Sequence, residues 1–173
     1  MSQHYYIDGY NVMHKSSLLR PLAMEDFEAA REALLDKVAQ FCVATGRRAT
    51  IVFDGRGRHQ PEKALDTHGV SQLEVLYSPA TLSADAVIER RVYRESNKLE
   101  VVVISNDRGL RDLCRNMGAL TMEADHFLSS VHEVRREATE RYEAPARSAM
   151  TEHLEDRLDG DTLARLKALK EKL

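Results

Sequence analysis

The chain has 173 residues, of which 43% are apolar and 31% charged, and its formal net charge is -3. This composition can supply the core of one ordinary domain with an appendage, and it excludes wholesale disorder. It also excludes a polycation, so any nucleic-acid contact has to come from a local basic patch. No apolar run approaches the ~20 residues that cross a bilayer, and we find no secretory signal pattern. We therefore expect a cytoplasmic protein with no membrane partner.

The first half of the chain alternates strand-like apolar runs with helical periodicity. It predicts strands at 4–8, 49–53 and 72–77 and a helix over 25–44 that stops at Gly46. The segments 9–23 and 55–69 contain turn-forming and polar residues and are predicted to be loops.

The second half continues the alternation. Ser83 is a suitable cap for a helix that runs to about residue 96, and a near-continuous apolar run at 101–105 is typical of a central strand. The remaining predicted elements are a helix over 108–116 that ends at Gly118, a strand at 120–122 and a helix that begins at Asp125. Alternating strands and helices predict an α/β sandwich around one parallel sheet of about five strands, over residues 1–142.

Beyond Pro145 the character of the sequence changes. A stripe of leucines lies on a charged helical background that is broken at 159–161: Leu154, Leu158, Leu163, Leu166, Leu169 and Leu173. This pattern predicts a helical hairpin extension over residues 143–173. Its apolar stripe could pack on the parent domain, form a homodimer or hold a partner such as a ribonucleoprotein.

The two cysteines, Cys42 and Cys114, both lie within the apolar patterns of predicted helices. A disulfide between them and two buried free thiols are both compatible with the sequence. The expected reducing compartment favours the free thiols.

Acidic residues follow the ends of the predicted strands. Asp8, Asp54 and Asp107 each come just after an apolar run, so they should meet at one edge of a parallel sheet. Asp85 lies in the first turn of the helix after Ser83, and Glu89 shares its face four residues later. Crowded carboxylates repel each other unless a cation holds them, and oxygen ligands suit Mg²⁺ or Mn²⁺.

Each of these residues also has a purely structural interpretation. Asp8, Asp54 and Asn11 are good turn residues, Asp85 favours a helix N-terminus, and Glu89 fits a solvated helix face. Their coincidence at one sheet edge favours a shared metal site. The chain shows no Gly-x-Ser-x-Gly elbow and no Cys beside a His at a strand end, so metal-assisted hydrolysis of a phosphodiester fits better than a protein nucleophile.

Four segments together resemble a known family. They occur in the order Ile7-Asp8-Gly9-Tyr10-Asn11-Val12, Ile51-Val52-Phe53-Asp54-Gly55, Ser83-Ala84-Asp85-Ala86-Val87-Ile88-Glu89 and Val103-Ile104-Ser105-Asn106-Asp107. This set is similar to the NYN ribonuclease domains, specifically their YacP-like branch within the wider PIN-like nuclease group, over residues 4–142.

The resemblance implies a PIN-like three-layer fold, a divalent metal and cleavage of RNA. By position it assigns Asp8, Asp85 and Asp107 as core metal ligands. It assigns Asn11, Asp54 and Glu89 as supporting site residues, with Asp54 counted among the metal ligands and Asn11 and Glu89 among the catalytic group. The family's last acid often follows a Ser or Thr directly, whereas Asn106 intervenes before Asp107 in this chain.

Basic and aromatic residues near the acids could hold RNA. Basic side chains beside a metal centre can clamp backbone phosphates, although a solvated helix face also explains any single arginine. Tyr10 could stack on a base or pack beneath the loop. The predicted RNA contacts are Tyr10, Arg56, Arg58, Lys63, Arg108 and Arg111, and Arg90, Arg91 and Arg94 flank the acids on the helix that contains Asp85.

Three functions compete at this point. The first is an endoribonuclease that uses one or two Mg²⁺ or Mn²⁺ ions. The second is a non-catalytic RNA-binding module, which would gain nothing from acids that repel phosphates. The third is a phosphotransfer enzyme or receiver domain, which the sequence disfavours. No Lys occurs in Met122-Glu123-Ala124, and no Asp-x-Asp follows the first strand.

Overall fold

A computed structural model of the chain describes residues 3–55 and 70–155. Within this part, five parallel strands form one sheet in the order β3-β2-β1-β4-β5. The strands are β1 (His4–Asp8), β2 (Arg48–Phe53), β3 (Leu73–Tyr77), β4 (Val101–Ile104) and β5 (Leu120–Met122). The predicted α/β class and five-stranded parallel sheet are confirmed.

The strands alternate with helices, as the pattern predicts. The described helices are α1 (Gly9–Lys15), α2 (Arg20–Glu25), α3 (Phe27–Thr45), α4 (Ala84–Arg94), α5 (Arg108–Asn116) and α6 (Ala124–Glu155), with a short 3-10 turn at Lys98–Glu100. The expected caps of two helices are present. The Ser83 side chain accepts from the Ala86 amide at the start of α4, and Gly46 ends α3 with a left-handed φ of 67°.

The predicted loop over 9–23 is wrong, because α1 and most of α2 occupy it. These helices have 7 and 6 residues, too few to show an apolar period. Asp8 caps α1, and Pro21 stands in the first turn of α2, where its missing N–H costs nothing. The helix predicted from residue 25 begins at Phe27, since the Asp26 carboxylate accepts from the Ala29 amide at 3.0 Å and caps α3.

Strand register brings three of the predicted acids to one edge. Asp8 in β1 pairs with Val52 in β2, and Ile7 pairs with Ile104 in β4. The three central strands therefore end at nearly the same level, and their following residues emerge together. The chain order also reverses between β1 and β4, which is where ligands bind in open parallel sheets.

Two apolar cores lie on the two faces of the sheet, which gives three layers. One core packs the sheet against α1, α3 and α6 through residues such as Met13, Leu34 and Phe127. The other packs it against α4 and α5 and includes Ile88 and Leu110.

The cysteines divide between these cores, because Cys42 belongs to the first and Cys114 to the second. Both are free and buried, so the disulfide alternative is wrong. Burial raises the pKa of each thiol to about 11, which keeps both protonated at neutral pH.

The described helix α6 extends into the C-terminal part of the chain. The chain forms two compact units, Met1–Arg135 and Arg136–Leu173, and α6 crosses residue 142 without a break. The assignment of a separate extension over 143–173 stays a prediction, and its expected break at 159–161 lies outside the described residues. In the part that the structure covers, no helix combines the length and apolarity needed to cross a membrane.

Candidate functional site

A pocket of about 320 Å³ opens at the carboxyl edge of the sheet. Three of the predicted acids line it: Asp8, Asp54 and Asp85. Asn11 and Tyr10 from α1 also line it, as do His14, Lys15, Ser83 and Ala84. The structure therefore brings these predicted residues together in one pocket, whose walls come from the segments after β1, β2 and β3.

Asp8 is the most buried acid of the site, with 6% of its surface exposed. One carboxylate oxygen accepts from the Asn11 amide at 3.1 Å, and the other accepts from the Ser105 hydroxyl at 3.4 Å. Burial is the main cause that raises the pKa of Asp8 to about 7; the hydrogen bond from the Asn11 amide opposes this shift, and the charge of Asp85 adds to it. Near neutral pH this side chain is therefore poised between its charged and uncharged forms.

Asp85, in the first turn of α4, contacts Asp8 directly. The interaction between the two carboxyl groups raises the pKa of Asp8, whereas on Asp85 it opposes the upward shift. Partial burial raises the pKa of Asp85, and the charges of Asp107 and Asp54 raise it further. All four predicted aspartates are consequently close enough to interact through their charges.

Asp107 stands at the start of α5 and is exposed. One of its carboxylate oxygens accepts from the Leu110 amide at 2.9 Å, and its own amide donates to the Ser105 hydroxyl at 3.1 Å. Ser105 thus links Asp8 and Asp107 through one hydroxyl, a role that the sequence analysis missed.

The intervening Asn106 ties three elements together. Its amide donates to the Asn11 side-chain oxygen at 2.7 Å, and its own side-chain oxygen accepts from the Ala124 amide at 2.8 Å. Asn11 therefore anchors the β4–α5 loop to α1. The sequence offered one signal for this role, namely that Asn106 stands between the end of a predicted strand and Asp107.

Asp54 is held by a residue that the sequence did not single out. The buried Ser78 hydroxyl donates to the Asp54 carboxylate at 3.3 Å and accepts from the Gly55 amide at 3.1 Å. A Cβ on Gly55 would lie 2.0 Å from the Ser78 carbonyl oxygen, and a Cβ on Gly9 would lie 2.3 Å from the Phe53 ring. Both glycines are required because the backbone passes too close to its neighbours for any side chain.

Glu89 is exposed on α4 and does not line the pocket. Its charge reaches the buried Cys114 thiol, where burial is the main cause of the raised pKa and Glu89 and Asp85 add to it. The structure therefore places Glu89 beside Asp85 but at the margin of the site.

The predicted RNA contacts have different environments. Tyr10 packs between Phe27 and Phe53, with ring centroids 5.2 Å away in both cases, and still lines the pocket. Arg108 is exposed, whereas Arg111 donates to Glu123 at 2.6 Å. Arg56, Arg58 and Lys63 lie outside the described residues.

The carboxylates of the pocket fit a magnesium ion that keeps several water ligands. Within residues 3–55 and 70–155, no three His, Cys, Asp or Glu side chains are grouped tightly enough to hold an ion by themselves. Two carboxyl groups, those of Asp8 and Asp85, are in direct contact. Mg²⁺ usually keeps several waters and binds one or two carboxylates together with substrate phosphates, so this pair suits such an ion.

Comparisons with known proteins agree with the fold. The YacP-like NYN domain matches residues 5–171. "Uncharacterized protein YacP" of Bacillus subtilis (strain 168) is 30% identical over 131 residues, which cover 75% of each chain. Among solved structures, a mutant of Rae1 (YacP) from Bacillus subtilis superposes with a TM-score of 0.68 at 24% identity, covering 98% of this chain and 99% of that one. A second crystal structure of Rae1 (YacP) gives 0.64 at 22% identity, with 96% and 94% covered. The chain belongs to the YacP-like NYN domain family and has its PIN-like nuclease fold.

Proposed function

We propose that the protein is a metal-dependent endoribonuclease that hydrolyses RNA phosphodiester bonds with Mg²⁺ or Mn²⁺. The observation that carries this proposal is the contact between the Asp8 and Asp85 carboxyls inside an open pocket, with Asp54 and Asp107 near enough to add their charges. A pocket that concentrates acids in this way repels a phosphate until a cation intervenes.

Each residue of the pocket has a distinct role in this proposal. Asp8 and Asp85 would hold the cation, which when bound activates a water molecule and offsets charge on the phosphoryl group. Asp54 and Asp107 supply further negative charge around that position. Glu89 is a supporting acid at the margin.

Two side chains of the pocket suit contacts with the substrate. Lys15 and His14 line the pocket together with the acids and can contact phosphate oxygens. Arg108 follows Asp107 directly and is exposed, so it can reach the same backbone. Asn11 acts as a positioning residue, because it fixes the loop that presents Asp107.

Three further expectations accompany the function. We propose RNA as the partner, within a ribonucleoprotein or free, and a cytoplasmic location. The leucine stripe between Leu154 and Leu173 supports packing on the parent domain or formation of a homodimer. These expectations rest on the sequence pattern and on family membership.

The test measures metal-dependent cleavage and has a matched control. A labelled single-stranded RNA is incubated with the protein in Mg²⁺, in Mn²⁺ and in excess EDTA. We expect internal cleavage with either ion and none in EDTA, and we expect Asp85→Asn to lower kcat/KM by at least about 100-fold. Asp112→Asn is the control, since Asp112 is an exposed acid on α5 that pairs with Arg115.

Three results would count against the proposal. Cleavage that persists undiminished in EDTA would remove the metal from the reaction. Full activity of Asp85→Asn would remove the acidic pair from it. Tight RNA binding without any cleavage would favour the RNA-binding module instead.

A further inference from the structure

We infer that a second cleft, on the side of α4 away from the acids, binds the phosphate backbone of the RNA a few nucleotides from the scissile bond. This inference rests on the proposed function, because it concerns the same substrate. The cleft has a volume of about 410 Å³ and contains the side chains of Arg90, Arg91 and Arg94. We call it the arginine cleft.

The charges in the arginine cleft are only partly compensated. Arg90 and Arg94 are exposed and form no ion pair with any residue in the described part of the chain. Arg91 approaches Glu74 at 3.7 Å, a loose contact. A helix that presents two arginines without acidic partners, beside a concave surface, offers donors for an anion.

The acid that lines the arginine cleft is already engaged by other groups. Glu95 accepts a hydrogen bond from the Tyr6 hydroxyl at 2.6 Å and contacts the His4 imidazole at 3.2 Å. Two side chains of β1 therefore already engage its carboxylate. Three arginines beside one engaged acid favour an anionic occupant of the cleft over a cationic one.

The arginine cleft and the acidic pocket are separated by a single connection. Pro79 and Leu82 line the cleft, whereas the adjacent Ser83 and Ala84 line the acidic pocket. The helical rise of about 1.5 Å per residue puts Arg90 and Arg94 on the order of 8 and 14 Å along α4 from Asp85. An RNA strand that crosses the connection between β3 and α4 can therefore reach the arginine cleft and the acidic pocket within a few nucleotides.

The chemistry of the arginine cleft suits backbone recognition. Guanidinium groups bind phosphates through paired N–H donors, and such contacts position a strand without reading its bases. Binding of this kind weakens steeply with salt, because each neutralised phosphate releases counterions. The cleft should therefore add affinity for longer RNA with little sequence preference.

The experiment measures binding separately from cleavage. Fluorescence anisotropy in EDTA compares the Arg90→Gln/Arg94→Gln variant with a control that loses the same charge elsewhere, Arg115→Gln/Arg136→Gln. Arg115 and Arg136 are exposed and paired on their own helices, with Asp112 and Glu140. The probe is a labelled RNA of about 12 nucleotides, within the usual range of single-strand site sizes.

We expect the cleft variant to bind this RNA about tenfold more weakly than the control does. The slope of log K against log salt should become less negative by about 1.4, since each single-strand phosphate contact contributes about 0.7. The single variant Arg94→Gln should give about half of that change in slope. Melting temperatures verify that all variants fold.

Equal binding of the RNA probe by the cleft and control variants would overturn this inference, even if the wild-type protein cleaves RNA normally. Conversely, a wild-type protein that never cleaves RNA would refute the proposed function. The anisotropy result would still report on the arginine cleft in that case, because EDTA removes cleavage from the measurement.

Discussion

Acidic side chains lie at both edges of the sheet, but their bonding partners differ between the two edges. At the amino-terminal edge, Glu95 bonds to Tyr6 and His4, and Glu74 accepts from the Thr50 hydroxyl. At the carboxyl edge, Asp8, Asp85 and Asp107 form no ion pair with any residue that the structure describes. They accept from backbone amides, hydroxyls or one another instead.

This difference shows why a count of acids does not by itself locate a site. Acids that are matched by an imidazole, a guanidinium or a phenol stabilise the fold locally and have no need of a ligand. Acids that face one another are costly to ionise together and create a position where a cation would be favourable. The acids of the carboxyl edge face one another, whereas those of the amino-terminal edge are matched by other side chains.

The largest expected effect separates the edges by activity. Asp8→Asn should lower kcat/KM for RNA cleavage by at least about 1,000-fold, because a buried ligand of the proposed cation loses its charge. Glu74→Gln, which removes an acid of the amino-terminal edge, should change kcat by less than about threefold and lower the free energy of unfolding by about 1 kcal/mol. The measurements are initial rates and urea unfolding. Comparable losses of activity in the two variants would erase the distinction between the edges.

The second prediction concerns stability at the carboxyl edge without metal. The pKa of Asp8 is 3.8 in its ordinary state and about 7 in the folded protein. The folded protein therefore holds a proton that the unfolded chain releases, and this contribution to stability is present below pH 3.8 and lost as pH rises through 7. Asp8→Asn mimics the protonated form and keeps a side chain that can cap α1.

In EDTA, the Asp8→Asn protein should therefore unfold with a free energy about 2–4 kcal/mol higher than wild type at about pH 8, since one pKa unit corresponds to about 1.4 kcal/mol. The advantage should shrink towards zero near about pH 4. Urea unfolding at the two pH values measures it. A variant that is less stable than wild type at the higher pH would show that burial of Asp8 is not costly.

The smallest expected effect has the opposite sign and lies at the other edge. Burial, with help from Arg48, lowers the pKa of His4 below its ordinary 6.5, although Glu95 opposes the shift. The folded protein thus binds fewer protons than the unfolded chain in mild acid, so stability falls as pH drops through 6.5. Between about pH 7 and about pH 5, His4→Gln should reduce the loss of unfolding free energy by less than about 1 kcal/mol. Melting temperatures of both proteins, measured across this pH range, test the prediction. The same dependence of melting temperature on pH in both proteins would contradict it.

Most of the fold could be predicted because its signals are local. Apolar runs located the strands, and Ser83 and Gly46 marked where α4 begins and α3 ends. The helices α1 and α2 could not be predicted in the same way, because helices of 7 and 6 residues provide too few turns for a period to appear. Their stability comes from tertiary packing, which a single sequence does not reveal.

The site could be predicted in outline but not in its contacts. The predicted strand ends indicate that Asp8, Asp54 and Asp107 lie near each other, because residues that follow parallel strands share one edge of the sheet. The hydrogen bond between Asp8 and Asp85 depends on how α4 packs beside β1, and no local pattern encodes that distance. The role of Ser78 was invisible for the same reason, since one serine after a strand has many explanations.

The segment Ser105-Asn106-Asp107 has a consequence for how the chain can vary. Three consecutive residues each fasten a different part of the site: Ser105 holds Asp8, Asn106 joins α1 to the start of α6, and Asp107 begins α5. Single replacements would loosen one attachment at a time. An insertion or deletion of one residue would displace all three attachments together, so the length of this tripeptide is constrained more strictly than its composition.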